Sequence, residues 1–310
     1  MRRIVIGFDG SDRGGDALAL GRALTELLDR EGAGAVEVAV ALVYPVASFG
    51  ASGQRTLDDE RRRQAHATLE QARESWPELP LGAFRLVQAG SPAAGLHQLA
   101  LDRETDAIVV GASHHGATGR VFPGSATEQT LHGSPCAVLV APPGYAGAAR
   151  PLRRIGVAYD AAPEARSALQ AARQLVHGRD DVVLVVVDVA DTTQPFAIPY
   201  GYPNYVVDLQ AIADDQLQEA HKALGDVPHV ELDRRDGDPV HELLQASGEL
   251  DLLVLGSRGH GPLKRLLLGS VSTHVVRGAA CPLLLLPHGA ATPSDGVPFA
   301  VGTGTAPTLP

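Results

Sequence analysis

Two stretches decide the fold: "DAIVVGASHHGATGRVFPGSAT" (Asp106–Thr127) and "DLLVLGSRGHGPLKRLLLGSVS" (Asp251–Ser272). Each runs from an Asp through a short apolar run to a glycine, a loop and a small Gly-Ser pair. Outward from them the match continues. "RIVIGFDGSDRGGDALALGRAL" (Arg3–Leu24) repeats as "RIGVAYDAAPEARSALQAARQL" (Arg154–Leu175), and "SPCAVLVAP" (Ser134–Pro142) as "AACPLLLLP" (Ala279–Pro287). Gly111 and Gly256 share an offset of 145 residues with Cys136 and Cys281, whereas Asp9 and Asp160 lie 151 apart. The difference is absorbed where surface loops tolerate a deletion. A period this long is a duplicated domain, because solenoid repeats are much shorter.

Within each copy, β-branched runs alternate with amphipathic stretches. The first copy predicts strands at Ile4–Phe8, Val36–Val43, Ala83–Gln88, Ala107–Val110 and Ala137–Val140. The second predicts them at Ile155–Tyr159, Val182–Val187, His229–Arg234, Leu252–Leu255 and Leu283–Leu286. Helical patterns fall between, as at Asp58–Trp76 and Asp208–Leu224. Near-continuous apolar strands separated by helices predict an α/β fold, a parallel sheet covered on both faces. The expected division is a domain over 1–143, a linker over 144–152, a second domain over 153–288 and a disordered tail over 289–310. The apolar last strand of each copy would leave an exposed sheet edge, so the copies are expected to pair these edges about a pseudo-twofold axis.

The 310 residues suit two domains, and 45% hydrophobic against 20% charged residues is globular composition. A net charge of −10 argues against nucleic acid or an anionic membrane surface as partner. An anion site must therefore be local. Two cysteines make no disulfide framework. The apolar run of "MRRIVIGFDG" stops at Asp9, too early for a signal peptide, and no run is long enough for a bilayer. The expectation is a cytoplasmic protein.

In open parallel sheets, ligands bind beyond the carboxyl ends of the strands. Gly256 follows an apolar strand there, and Gly269-Ser270 opens the next helix. Gly256 and Gly259 can take positive φ and admit close backbone approach, and the helix start offers unpaired amides. Converging amides make an anion site, with a phosphate as the fitting guest. Arg258, Lys264 and Arg265 read either as added local charge for such a guest or as solvated loop residues, the latter favoured for Lys264. The loop is neither a P-loop nor the dinucleotide fingerprint, which belongs after the first strand. Asp9 and Asp160, just past that strand, read either as turn or cap residues or as acceptors for ribose hydroxyls or an adenine amine.

The spacing Gly256-x-x-Gly259, nine residues, then Gly269-Ser270 resembles the nucleotide loop of the universal stress protein family, in its ATP-binding branch. "DLLVLGSRGHG", "CPLLLLP" and the opening "GFDGS" are similar to the same family. The resemblance implies two tandem Rossmann-like five-stranded sheets of strand order 3-2-1-4-5. It implies that Asp160 meets adenosine, with Ala158 and Val187 lining the base pocket. Gly256, Gly259, Gly269, Ser270 and Ser272 would hold ribose and phosphates, with Mg2+ on the phosphates. The matching positions of the first copy are Gly7, Asp9, Val43, Gly111, His114, Gly124, Ser125 and Thr127. His114 stands where the motif has a glycine, so the tighter site is expected in the second copy.

Other candidates carry less. His114-His115 have no spaced metal partners, and Cys136 and Cys281 read as small buried hydrophobes. Ser11 and Ser113 lack a nucleophile elbow. "PFAIPYGYPNYVV" (Pro195–Val207) gathers Phe196, Tyr200, Tyr202 and Tyr205, either as a lid or partner surface or packed on its own domain. The leading expectation is an ATP-binding stress-response module without catalysis. A slow ATPase or phosphotransfer enzyme and a scaffold without nucleotide are the alternatives. The pseudo-dimer within one chain is compatible with a further homodimer of whole chains.

Overall fold

Apolar runs and amphipathic stretches alternate in the fold as they do in the sequence. The computed structural model describes residues 1–29, 34–45, 54–112, 126–193, 205–257 and 269–287. The first half comprises β1 (Arg3–Gly7), α1 (Asp12–Leu28), β2 (Glu37–Pro45), α2 (Gln54–Ser75), β3 (Phe84–Ala89), α3 (Pro92–Asp102), β4 (Ala107–Gly111), α4 (Ala126–Leu131) and β5 (Ala137–Ala141). The linker carries one helical turn, α5 (Tyr145–Ala148). The second half repeats the series: β6 (Arg154–Ala158), α6 (Pro163–Val176), β7 (Val183–Ala190), α7 (Tyr205–Leu224), β8 (Val230–Asp236), α8 (Pro239–Ser247), β9 (Leu252–Gly256), α9 (Ser270–Gly278) and β10 (Leu283–Leu286). The tail expected to be disordered lies outside the described residues.

Repeated sequence signals produce repeated local structure. The carboxylate before the fourth strand ties down the start of the first: Asp106 accepts from the backbone N–H groups of Arg2 and Arg3, and Asp251 from those of Arg153 and Arg154. Ser91 caps α3 and Asp238 caps α8, each followed by a proline at the first helical position. The linker is held by the buried Asp16 of α1, which accepts from Gly144 N at 2.9 Å and Ala146 N at 2.8 Å.

Each half has the expected strand order, but the two sheets are not separate. They form one ten-stranded sheet, β3-β2-β1-β4-β5-β10-β9-β6-β7-β8. Strands within a half are parallel; β5 and β10 join them antiparallel, with Leu283, Leu284 and Leu285 opposite Val140, Leu139 and Val138. The physical reason is that two fully apolar edges satisfy their backbone groups by hydrogen bonding to each other, which packing alone would not do. One core then runs along each face through both halves: α1, α2, α6 and α7 cover one, and α3, α4, α8 and α9 the other. The outer strands β3 and β8 end the sheet with half-exposed, charge-bearing residues such as Arg85, Glu231 and Arg234. Among the described residues, no helix is long and apolar enough to cross a membrane.

Candidate functional site

The sheet's parallel halves leave a cleft where β1, β2 and β4 end. Gly7, Asp9, Ala41, Val43, Gly111 and Thr127 line it, together with Leu96 of α3 and Arg13 of α1. Five of the first-copy positions singled out from the sequence are therefore brought together. His114, Gly124 and Ser125 lie outside the described residues.

Gly111 is a glycine for a reason of packing. A Cβ on it would sit 2.2 Å from the carbonyl oxygen of Arg13, in the first turn of α1. Gly256 repeats the relation, its missing Cβ 2.4 Å from the carbonyl oxygen of Glu164 in α6. Neither is among the glycines of positive φ. Their role is close approach between strand end and helix start, which draws α1 and α6 over the cleft.

Asp9 and Asp160 each accept a backbone N–H two residues on, Ser11 N and Ala162 N, both at 3.1 Å. The turn reading of these residues is thus realised in both halves, while both side chains remain exposed. The residue between takes a left-handed conformation, Gly10 at φ 77° and Ala161 at φ 53°. Ser11 caps α1 with its side chain, and Ala162 offers no such cap.

The far wall is built from the following helix. Thr127 donates its hydroxyl hydrogen to the Gly111 carbonyl at 2.7 Å. In the second half Gly269 is the N-cap of α9, Ser270 opens that helix, and Ser272, the counterpart of Thr127, is buried. Ser257, directly after Gly256, is buried, and among the described residues its hydroxyl makes no hydrogen bond. Gly259, Arg258, Lys264 and Arg265 lie outside the described residues, as do His115, Ser113, Phe196, Tyr200 and Tyr202.

Strand register sets the second-half counterparts of the cleft wall. Phe8 N donates to Ala41 O, and Tyr159 N to Val187 O, both at 2.9 Å. Val187 therefore matches Ala41, and the counterpart of Val43 is Val189. Both Val43 and Val189 are half-buried on the α3/α8 face, and Val187 is buried beside them.

One residue of the second half escapes the sequence reading. Asp188 takes the register of Leu42, a core position, and is 2% exposed with Oδ2 unpartnered. Burial, and then the negative charge of Asp160, pushes its carboxyl up to about 7. An acid interrupting "VLVVVDVA" was the available signal. Burial likewise pushes the thiols of Cys136 and Cys281 up to about 12, so both are the inert buried residues expected. Among the described residues, no group of three His, Cys, Asp or Glu side chains could hold a metal ion.

Comparison with known proteins now adds a family. The model of the universal stress protein family matches residues 1–142 and 151–287. A universal stress protein of Thermus aquaticus is 32% identical over 138 residues, 43% of this chain and 98% of that one. One of Mycobacterium tuberculosis is 28% identical over 203 residues, 64% of this chain and 69% of its own. The crystal structure of a universal stress protein from Archaeoglobus fulgidus superposes with a TM-score of 0.63 at 21% identity, covering 92% of this chain and 95% of that one. That likeness concerns the fold.

Proposed function

The chain belongs to the universal stress protein family, and on that premise we propose that it is an adenine-nucleotide-binding regulatory module with one ATP site in each half. In each half, taken as 1–143 and 153–288, an Asp follows the first strand, a glycine ends the fourth and a hydroxyl stands in the helix after it. The observation that carries this reading is the gathering of Gly7, Asp9, Val43, Gly111 and Thr127 around one cleft. Those are positions that the family's nucleotide motif assigns to the ligand.

Each residue type suits its part. The valines offer an apolar wall to the base, and Asp9 or Asp160 an acceptor for ribose hydroxyls. The amino end of α9, with Ser270 and Ser272, offers donors to phosphate oxygens. Mg2+ would arrive with the phosphates, since the described residues gather no metal site of their own. Such a set binds charge; hydrolysis also needs an oriented water and stabilisation of the transferring group. We place the protein in the cytoplasm as a soluble sensor.

The test is chemical. Protein purified without added nucleotide is denatured, and the released small molecules are identified by absorbance and mass spectrometry. An adenine nucleotide in near-stoichiometric amount supports the reading, whereas its absence together with no uptake of added ATP argues for a scaffold. Phosphate release that disappears in a folded Asp160→Ala variant would favour the enzyme instead.

A further inference from the structure

Residues 13 and 164 are one place in the fold, and there the halves differ in sign. The backbone at each does the same work, its carbonyl oxygen set against Gly111 in the first half and Gly256 in the second. The fold therefore fixes the main chain at this turn and leaves the charge of the side chain unspecified. Glu164 has the sign that the amino end of a helix favours; Arg13, in the first turn of α1, opposes the helix dipole. Nor does its ion pair explain it. The Arg13 guanidinium stands 3.8 Å from Asp9 Oδ2, both side chains substantially exposed, where pairing contributes little. Arg13 lines the cleft beside Asp9 and Gly111, and also borders the neighbouring cavity between α1 and the linker. The same half has His114 in place of the motif's second glycine.

We propose that Arg13 is a phosphate-binding residue particular to the first cleft, a side-chain cation at the position where the second copy carries Glu164. The proposal rests on the nucleotide reading above and adds to it a difference between the two sites. Arg13 acts on the charged part of the ligand, so the first cleft gains affinity with each added phosphate through it. The second cleft has no cation at this position to do the same.

Photolabelling of the full chain separates the two sites without disabling either. 2-Azido-ATP and 2-azidoadenosine are titrated, and labelled peptides from each half are quantified by mass spectrometry. In Arg13→Gln, the half-saturating concentration of 2-azido-ATP in the first half is expected to rise about tenfold. That of 2-azidoadenosine in the first half, and of both probes in the second, stays within about twofold of wild type. Arg13→Lys, which keeps the charge, recovers most of the loss. An Arg13→Gln effect that is equal for both probes, or absent for both, overturns the role of Arg13 while leaving nucleotide binding intact. Labelling of the second half alone overturns this proposal, and absence of labelling by both probes in both halves of the wild-type protein overturns the nucleotide reading itself, and this proposal with it.

Discussion

Leu139 and Leu284 hold equivalent positions in the two halves, and they are paired with each other across the β5–β10 seam. Val138 and Val140 flank the pair against Leu285 and Leu283, so each strand meets its own repeat in reverse. A pairing that maps a residue onto its own counterpart has a twofold axis through it, here between the two leucines. Both are fully buried. Either half alone would expose this strand edge and the apolar surface beside it, a template for association. Residues 1–143 and 153–288, expressed separately, are expected to dimerise or aggregate. Light scattering that finds each a stable monomer would contradict this account of the seam.

Glycine substitutions should divide by what a Cβ would meet. Gly111→Ala and Gly256→Ala push against backbone carbonyls that cannot turn aside, and each is expected to cost roughly 2–3 kcal/mol. Gly15→Ala, on α1 with nothing within 4 Å, should stabilise by about 0.5–1 kcal/mol. Urea denaturation of the three variants checks the order. Equal stability of Gly256→Ala and wild type would remove the close-approach argument.

Ala161 keeps a left-handed conformation that its counterpart Gly10 takes without strain. Ala161→Gly is expected to gain about 0.5–1 kcal/mol, the relief of strain exceeding the added freedom of the unfolded chain. Gly10→Ala should lose more than that, because its Cβ would also lie 2.5 Å from a Thr68 methyl. Thermal unfolding of both variants tests the pair, and a destabilised Ala161→Gly would be the wrong sign.

Asp188 makes stability depend on pH in a defined direction. Its carboxyl, at about 7 in the folded protein, titrates near 3.9 when unfolded. Folding therefore favours the protonated form: the contribution is complete below about pH 4 and is lost as pH rises towards 7. Asp188→Asn cannot ionise, so it should exceed wild type in stability at pH 8, by on the order of 2–4 kcal/mol. The advantage should shrink steadily between pH 7 and pH 4. Denaturant midpoints that run parallel for the two proteins across this range would refute the assignment.

The fold was legible because duplication states each signal twice. All ten strands lie within three residues of the runs that announced them, and Gly269-Ser270 opens α9 as its spacing implied. The single continuous sheet was harder to read. An apolar edge announces that it will be covered, yet hydrogen bonding and packing across it leave the same sequence trace. Positive φ is the freedom the sequence offers at Gly256, whereas Gly256, like Gly111, answers to the close approach of a helix distant in sequence. Register adds Val189 beside Val187, because alternation marks a strand's faces without fixing which residues stand opposite. Arg13 and Glu164 stood aligned in the repeat, but their shared backbone contact becomes visible only in three dimensions.

Calorimetric titration with ATP tests the central claim most directly. Protein stripped of bound nucleotide should take up ATP saturably, with the tighter of its two sites in the second half. Gly259→His should weaken that site by about tenfold or more, since it sets a Cβ and an imidazole at the glycine that the proposed motif turns towards phosphate. His114→Gly should strengthen the first. No saturable heat from ATP, or affinities that neither substitution moves, would show that the spaced glycines do not hold a nucleotide.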